Sequence, residues 1–232
     1  MEEDPRHPFV TRYCKRCRYE IRFRISCGDR TCPKCRKKWF GYHYKTLYDL
    51  VKTWPVIHSL TLTIQNIPDE AFSKSHVKEI RESFTRLRKE FKQIRGGFYV
   101  VQATNQGRGW HLHLHIIFDG AYIAKSELKA AWYRITSGSY ILAVSDVKRP
   151  DKAIRYLLAD FSGAPRIRPE DTDLYNLIFK GSRLVQPFGI YRGIKFRVGY
   201  RCPKCGGTVW VTLGELLTEP PIFHPSCKGQ SP

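Results

Sequence analysis

The stretch Trp110-His111-Leu112-His113-Leu114-His115-Ile116-Ile117-Phe118 alternates polar and apolar side chains with a period of two. In a β-strand, this period places His111, His113 and His115 on one face and the aliphatic residues between them on the other. Three of the chain's eight histidines lie within these five positions. Imidazoles two residues apart on a rigid strand can chelate a divalent metal ion. The stretch therefore predicts a metal site on a strand, and the alternative is an exposed strand face that carries histidines without a ligand.

The segments around this strand predict an α+β domain. Apolar periodicity, turn residues and Gly-Gly punctuation predict, in order, a strand at Val56–Ile64, a helix at Ser73–Ile94, a strand at Phe98–Thr104, a hairpin turn at Asn105–Gly109, the histidine strand, a helix at Ala124–Ile135, a strand at Ser139–Val147 and a helix from Pro150 to about Phe161. This order is typical of a split β-α-β (RRM-like or ferredoxin-like) domain with an antiparallel sheet and helices on one face. Gln102 on the neighbouring strand could then supply a side-chain oxygen to a metal held by His113 and His115. His111 is either a third imidazole ligand or a DNA contact.

Cysteines mark two small modules outside that domain. Cys14-x2-Cys17 and Cys32-x2-Cys35 have the spacing of a tetrahedral zinc ribbon, and Cys27 between them is either a spare thiol or a substitute ligand. Near the other end, Cys202 and Cys205 form a third Cys-x2-Cys pair, followed by His224 and Cys227. We therefore expect a ribbon at each end of the chain, each holding one structural Zn²⁺, although a site that borrows Cys27 for the second cluster is an alternative.

The charge of the chain indicates a polyanionic partner. Lys and Arg number 40 against 21 Asp and Glu, which gives a formal net charge of +19. An excess of this size favours nucleic acid. The basic residues predicted to contact DNA lie beside the first cysteines and in the hairpin turn, namely Arg16, Arg18, Arg36, Lys37, Lys38 and Arg108. A solvated basic face is the alternative for each of them.

The sequence also predicts the cellular location of the protein and its domain organisation. No run of about 20 apolar residues is present, so no membrane span is expected. The N-terminus Met1-Glu2-Glu3-Asp4 is unlike a signal peptide, which favours a cytoplasmic protein whose cysteines bind metal instead of forming disulfides. We expect four segments: a zinc ribbon at 1–45, the α+β domain of the histidine strand at 46–162, a basic linker or extension at 163–198 and a second zinc ribbon at 199–232.

Three motifs in this order resemble those of the HUH endonucleases, and among them the rolling-circle replication initiators (Rep proteins) of plasmids and viruses. Ser59-Leu60-Thr61-Leu62-Thr63 resembles the family's first motif, and His113-Leu114-His115 resembles the histidine motif that names the family. Ala153-Ile154-Arg155-Tyr156-Leu157 resembles the third motif, a helix with a nucleophilic tyrosine. The Cys-rich stretch from Ser26 to Cys35 is similar to that of some Rep proteins and of rolling-circle transposases.

The resemblance implies a metal-dependent endonuclease that nicks and joins single-stranded DNA at a replication origin. Tyr156 would form a covalent 5′-phosphotyrosine, while His113, His115 and Gln102 would hold Mn²⁺ or Mg²⁺. A transposase with the same chemistry and a non-catalytic zinc-ribbon nucleic-acid-binding protein are the alternatives. No glycine-rich ATP-binding loop is present, so a helicase would be a separate partner.

This chain departs from the family pattern around the tyrosine. The lysine that often follows three residues later is Ala159 here, and Lys152, one helical turn before Tyr156, is the expected substitute. Lys152 also stands where some relatives carry a glutamate for the release step, which leaves the catalyst of that step open. Tyr175 and Tyr191 are the next candidates for the nucleophile.

Overall fold

The structure, a computed structural model, describes residues 4–139, 141–159, 165–183, 185–194, 196 and 200–218. In chain order, its helices and strands are β1 (Phe9–Cys14), β2 (Glu20–Arg24), α1 (Pro33–Val51), β3 (Ile57–Thr63), α2 (Lys74–Glu90), β4 (Ile94–Asn105), β5 (Trp110–Gly120), α3 (Lys125–Ile135), β6 (Leu142–Asp146), α4 (Pro150–Leu157), α5 (Thr172–Phe179), β7 (Val185–Gly189), β8 (Trp210–Val211) and α6 (Leu213–Thr218). Among the helices described, none is both long enough and apolar enough to cross a membrane.

The chain forms two compact units in place of the four predicted segments. One unit joins Met1–Gly28 to Arg197–Pro232, and the other spans Asp29–Phe196. The two terminal regions, predicted as separate ribbons at 1–45 and 199–232, thus contribute to one unit. Within it, β1 pairs with β2 on one side and with β8 on the other in a three-stranded antiparallel sheet. A two-stranded hairpin is marginal by itself, so the third strand from the far end of the chain helps to stabilise it.

The larger unit contains a five-stranded antiparallel sheet in the order β6-β3-β5-β4-β7. The prediction of an α+β fold with an antiparallel sheet is confirmed, and the histidine strand β5 lies at the centre of this sheet. The hairpin that joins β4 to β5 turns through Gly107 and Gly109, both with positive φ. A Cβ atom on Gly109 would lie 2.7 Å from the carbonyl oxygen of Ile67, so glycine is required there on both counts.

One face of the sheet carries the larger core. The aliphatic side chains of β5, Leu112, Leu114 and Ile116, are buried there against α2 and α3. In α2, Val77, Ile80, Phe84 and Leu87 recur at helical spacing and present one apolar stripe to the sheet. The alternation of β5 therefore leaves its histidines on the opposite face.

The prediction that helices cover only one face is wrong. The histidine face is apolar at one end, where Phe98, Val100 and Ile117 are buried beneath α1 and α4. These residues come from β4 and β5, and covering them removes apolar surface from water. Helix α1 begins at Pro33 and belongs to the larger unit, so the ribbon predicted for 1–45 extended too far.

The predicted basic linker at 163–198 contains regular structure. A 3₁₀ turn at Pro169–Asp171 leads into α5, whose Tyr175, Ile178 and Phe179 join the larger core. Strand β7 pairs with β4 as an edge strand, and it tolerates Pro187 for that reason. Both elements are short, so their apolar patterns give little signal in the sequence.

Candidate active site and zinc clusters

Backbone pairing brings the predicted metal ligands onto adjoining strands. His113 lies directly opposite Gln102 of β4 on one side and opposite Thr63 of β3 on the other, and His115 lies opposite Thr61. The rings of His111 and His113 stack with centroids 5.9 Å apart, and His113 and His115 have the same separation. The three imidazoles and the Gln102 amide therefore form one group on one face of the sheet.

The environment of His113 and His115 favours their uncharged form. Burial, the neighbouring His113 and the positive charge of Arg166 lower the pKa of His115 to about 4. Burial, together with His111 and Arg166, also lowers the pKa of His113. A neutral imidazole has a lone pair free to bind a metal ion. Both residues are consequently in the ligand form at neutral pH.

Thr61 orients the most buried of the three rings. Its Oγ1 lies 3.1 Å from Nδ1 of His115, the distance of a hydrogen bond. With the proton on Nδ1, Thr61 accepts this bond and Nε2 carries the lone pair. A second partner of this kind fixes the ring of a metal-binding histidine in most such sites. Thr61 of the Ser59–Thr63 motif on β3 thus orients His115 of the histidine motif on β5.

Gln102 is a buried amide with an unsatisfied group. The residue is 7% exposed, and in the described part of the chain its Nε2 has no hydrogen-bond partner. A buried polar group without a partner costs about 1–3 kcal/mol. A metal ion would bind the Oε1 oxygen of this amide, and a phosphate oxygen that accepts a hydrogen bond from Nε2 would offset that cost. Two neutral imidazoles and an amide oxygen could hold a divalent metal ion with positions left open for phosphate and water.

Helix α4 holds Tyr156 beside the histidines. Ile154 and Leu157 are buried and anchor the helix on the sheet, while Tyr156 points away from the core with 61% of its surface exposed. Its ring meets that of His115 edge to face, with centroids 5.0 Å apart and planes at 88°. The tyrosine is therefore open to solvent and lies beside His115.

Tyr156 opens onto a cleft of about 560 Å³ between α4 and the sheet. Thr61 and His115 form part of its floor. Lys148, Arg149 and Lys152 line its rim, and Arg149 is paired with Asp151 at 3.0 Å. Cations along one side of an open cleft favour a phosphate-containing ligand. Lys152, one turn before Tyr156, is thus in the same cleft as the tyrosine.

Sequence reasoning missed Arg166, which it placed in a linker. The carbonyl oxygen of Arg166 accepts a hydrogen bond from the Asn105 N–H at 2.9 Å, at the end of the hairpin that carries the histidines. Arg168 secures this segment through ion pairs to Asp69 and Asp171. The charge of Arg166 acts on His113 and His115, so it adds a cation to the candidate site. No local sequence motif predicts a role for Arg166, because its position depends on hydrogen bonds to residues distant in the sequence.

Four cysteines of the smaller unit form a site suited to zinc. Ligand atoms of Cys14, Cys17, Cys202 and Cys205 all lie within 4.8 Å of one another. The Sγ atoms of Cys14 and Cys205 are 3.6 Å apart, and those of Cys17 and Cys202 are 3.4 Å apart. Disulfide sulfurs would be about 2.05 Å apart, whereas sulfurs at 2.3 Å from a tetrahedral zinc are about 3.8 Å apart. The spacing is therefore that of a metal site, and it corrects the predicted pairing of Cys14 and Cys17 with Cys32 and Cys35.

The two Cys-x2-Cys pairs of this site form turns with the same backbone hydrogen bond. The N–H of Arg18 donates to the carbonyl of Cys14, and the N–H of Gly206 donates to the carbonyl of Cys202, each at 2.8 Å. Both donors directly follow the second cysteine of a pair and have positive φ. Although burial opposes it, hydrogen bonding from Gly207 and the other thiols lowers the pKa of Cys205 to about 7, whereas burial raises the pKa of Cys14 and Cys17 when no metal is bound. A thiolate is the form that binds zinc.

Cys32 and Cys35, the predicted partners of Cys14 and Cys17, lie at the start of α1 in the larger unit, where both are buried. Cys27 is half-buried. The predicted ligands His224 and Cys227 lie outside the described residues.

The predicted DNA contacts differ in accessibility. Arg18, Lys37, Lys38 and Arg108 are exposed. Arg36 is 3% exposed and follows a cysteine at the start of α1, so the prediction that it contacts DNA is wrong. Arg16 is half-buried and donates to the carbonyl of Cys205 at 3.3 Å, which gives it a structural role in the four-cysteine site.

A zinc-content measurement would test the ligand grouping. We expect two zinc ions per purified chain, and one after either Cys17→Ser or Cys202→Ser. Because both cysteines belong to one group, the double variant should still retain one zinc, since effects within a shared site are not additive. Zero zinc in the double variant would show that the two cysteines serve different sites. Loss of the metal should also destabilise the unit, because binding energy is folding energy in small zinc modules.

Comparison with protein-family models, with curated proteins and with solved structures found no match to this chain.

Proposed function

We propose that the protein is a metal-dependent endonuclease of the HUH type that nicks and joins single-stranded DNA through a phosphotyrosine at Tyr156. One observation carries the proposal. The exposed Tyr156 ring contacts the ring of His115 in a cleft bordered by lysines, on the face where His113 and Gln102 also lie. A structural tyrosine of a helix would be buried against the core, as Tyr175 is at 8% exposure.

His113, His115 and Gln102 would hold the catalytic metal, with His111 at the end of the same row. Their neutral imidazoles and the Oε1 oxygen of the buried Gln102 amide fit a divalent cation. When bound, Mn²⁺ or Mg²⁺ would polarise the oxygens of a phosphodiester. Thr61 keeps the His115 ring in the ligand orientation.

Tyr156 would act as the nucleophile on the phosphodiester. Its hydroxyl oxygen forms a bond to phosphorus as the bond from phosphorus to the 3′ oxygen breaks, which leaves a 5′-phosphotyrosine and a free 3′-OH. The phenol loses the proton that the departing 3′ oxygen gains, so the step is balanced without a further reactant. A phenol has an ordinary pKa of about 10 and needs a nearby cation to react as phenolate. Lys152, in the same cleft, supplies such a charge.

The proposed biological role is initiation of rolling-circle replication at the origin of a plasmid or virus. Transposition by the same chemistry is an alternative for the same site. Strand separation would require a separate helicase. The net charge of +19 supports DNA as the partner, because a cleft with cationic walls draws a polyanion towards the tyrosine.

The direct test is incubation of the purified protein with labelled single-stranded DNA and Mn²⁺. A nicked product and a covalent protein–DNA adduct on a denaturing gel are expected, and chelation of the metal should remove both. A protein that binds the DNA but produces neither species with any origin-derived strand would instead be a non-catalytic nucleic-acid-binding protein.

Binding should depend steeply on salt. If about six phosphates are contacted, the affinity for single-stranded DNA is expected to fall by on the order of 10²- to 10³-fold between 50 and 200 mM salt. Fluorescence anisotropy in chelator-containing buffer measures this without cleavage. A flat salt response would mean that the charge of the protein serves another partner.

A further inference from the structure

Two arginines of α2 lie on the side of the sheet opposite the histidines. Arg81 and Arg88 are seven residues, or two helical turns, apart and thus share a face of the helix. Both are half-buried, and the Nε atom of each is buried without a hydrogen-bond partner in the described part of the chain. Neither guanidinium is paired with a carboxylate among the residues that the structure describes. Other arginines of this unit, such as Arg95 and Arg134, are paired with acids.

Aromatic rings hold one of these guanidinium groups in place. Arg88 lies over the ring of Phe188 at 4.5 Å and over that of Phe84 at 5.8 Å. Tyr99 lies close to both arginines, and its hydroxyl donates to Gln186 at 2.9 Å. Stacking on rings orients the planar group and leaves its N–H edges available to a ligand.

No carboxylate is paired with Arg81 or Arg88 in the part of the chain that the structure describes. Burial is the main cause that lowers the pKa of both Arg81 and Arg88, and the positive charge of Arg192 contributes at Arg88. Removing unpaired charges from water is unfavourable, and like charges nearby increase the cost. An anion held between these side chains would relieve both effects. A tetrahedral phosphate suits them best, because guanidinium groups bind its oxygens in a bidentate manner.

We propose that Arg81, Arg88 and Arg192 form a binding site for a backbone phosphate of nucleic acid, separate from the Tyr156 cleft. The site lies at the β7 edge of the sheet, whereas the Tyr156 cleft lies against β3 and β6 on the other face. Phosphate contacts are independent of base sequence, so this site would add affinity and orient DNA beyond the nick. The proposal rests on nucleic acid as the partner but not on cleavage.

The test compares R81Q/R88Q with K74Q/K89Q, a control that removes the same charge from exposed positions of the same helix. Thermal unfolding in rising inorganic phosphate should show a saturable stabilisation of the wild type and the control that R81Q/R88Q lacks. In metal-free buffer, the salt slope for single-stranded DNA should fall by about 1.4 in R81Q/R88Q if two phosphate contacts are lost, and by less in the control.

Three outcomes would overturn the proposal: an unchanged phosphate response in R81Q/R88Q, an unchanged salt slope in that variant, or equal losses in the control. If R81Q/R88Q does not fold, R81Q alone is used with K74Q as its control, because the Arg81 guanidinium is not stacked on an aromatic ring among the described residues. A wild-type protein that never nicks DNA, yet shows the arginine-dependent phosphate response and salt slope, would refute the proposed nuclease and retain this site.

Discussion

Replacement of Tyr156 with phenylalanine is expected to eliminate the covalent protein–DNA adduct and to reduce nicking by on the order of 10⁴-fold or more, the scale reached when a covalent nucleophile is lost. The substitution removes one oxygen from a side chain that is 61% exposed, so stability should be almost unchanged. Adduct formation on a denaturing gel and thermal unfolding of the same preparation measure the two effects.

Tyr122→Phe and Tyr133→Phe are the matched controls. Both tyrosines are exposed, at 70% and 55%, and both lie outside the cleft. They should nick DNA like the wild type. An adduct that persists in Tyr156→Phe would show that the nucleophile is another residue. Tyr175, an early alternative, is buried, and Tyr191 is hydrogen-bonded to Asp119 at 3.1 Å, so neither is as accessible as Tyr156.

The double substitution of His113 and His115 with alanine is expected to abolish metal-dependent cleavage, with a loss on the order of 10³-fold or more, because the metal would supply several kcal/mol of charge stabilisation. DNA binding should persist, since dispersed basic residues carry it. Mn²⁺ binding by calorimetry should disappear in parallel with activity.

His76→Ala is the control for this pair. His76 lies on α2, where it is hydrogen-bonded to Ser73, and it takes no part in the histidine face. Its replacement should leave both Mn²⁺ binding and nicking intact. Undiminished nicking by the His113/His115 variant in chelator-treated buffer would exclude these residues as ligands of a catalytic metal.

Local sequence pattern predicted the central strands and helices well. The histidine strand, its hairpin and the helix of Tyr156 all occur where apolar periodicity and turn residues put them. Periodicity succeeds here because burial on one face imposes it directly on neighbouring residues. The same reasoning missed α5 and β7, which are short and are stabilised by packing against distant strands.

For the cysteine pairs, local sequence pattern was not sufficient to predict the structure. Three Cys-x2-Cys pairs have the same spacing, so spacing alone cannot say which of them share a metal. The pairing of β8 with β1 decides that Cys202 and Cys205 meet Cys14 and Cys17. Nothing in the sequence near Arg166 would assign it to a site.

The alternation of residues 110–118 was sufficient to specify a strand with three histidines on one face, because side-chain direction along a strand depends only on the backbone. It also indicated that Gln102 on the neighbouring strand could reach a metal held by His113 and His115, but only the structure shows the register that puts Gln102 opposite His113. Whether Tyr156 reaches that face depends on α4 being packed over Phe98, Val100 and Ile117. That contact arises from burial of apolar surface between segments far apart in the chain, and only the tertiary structure decides it.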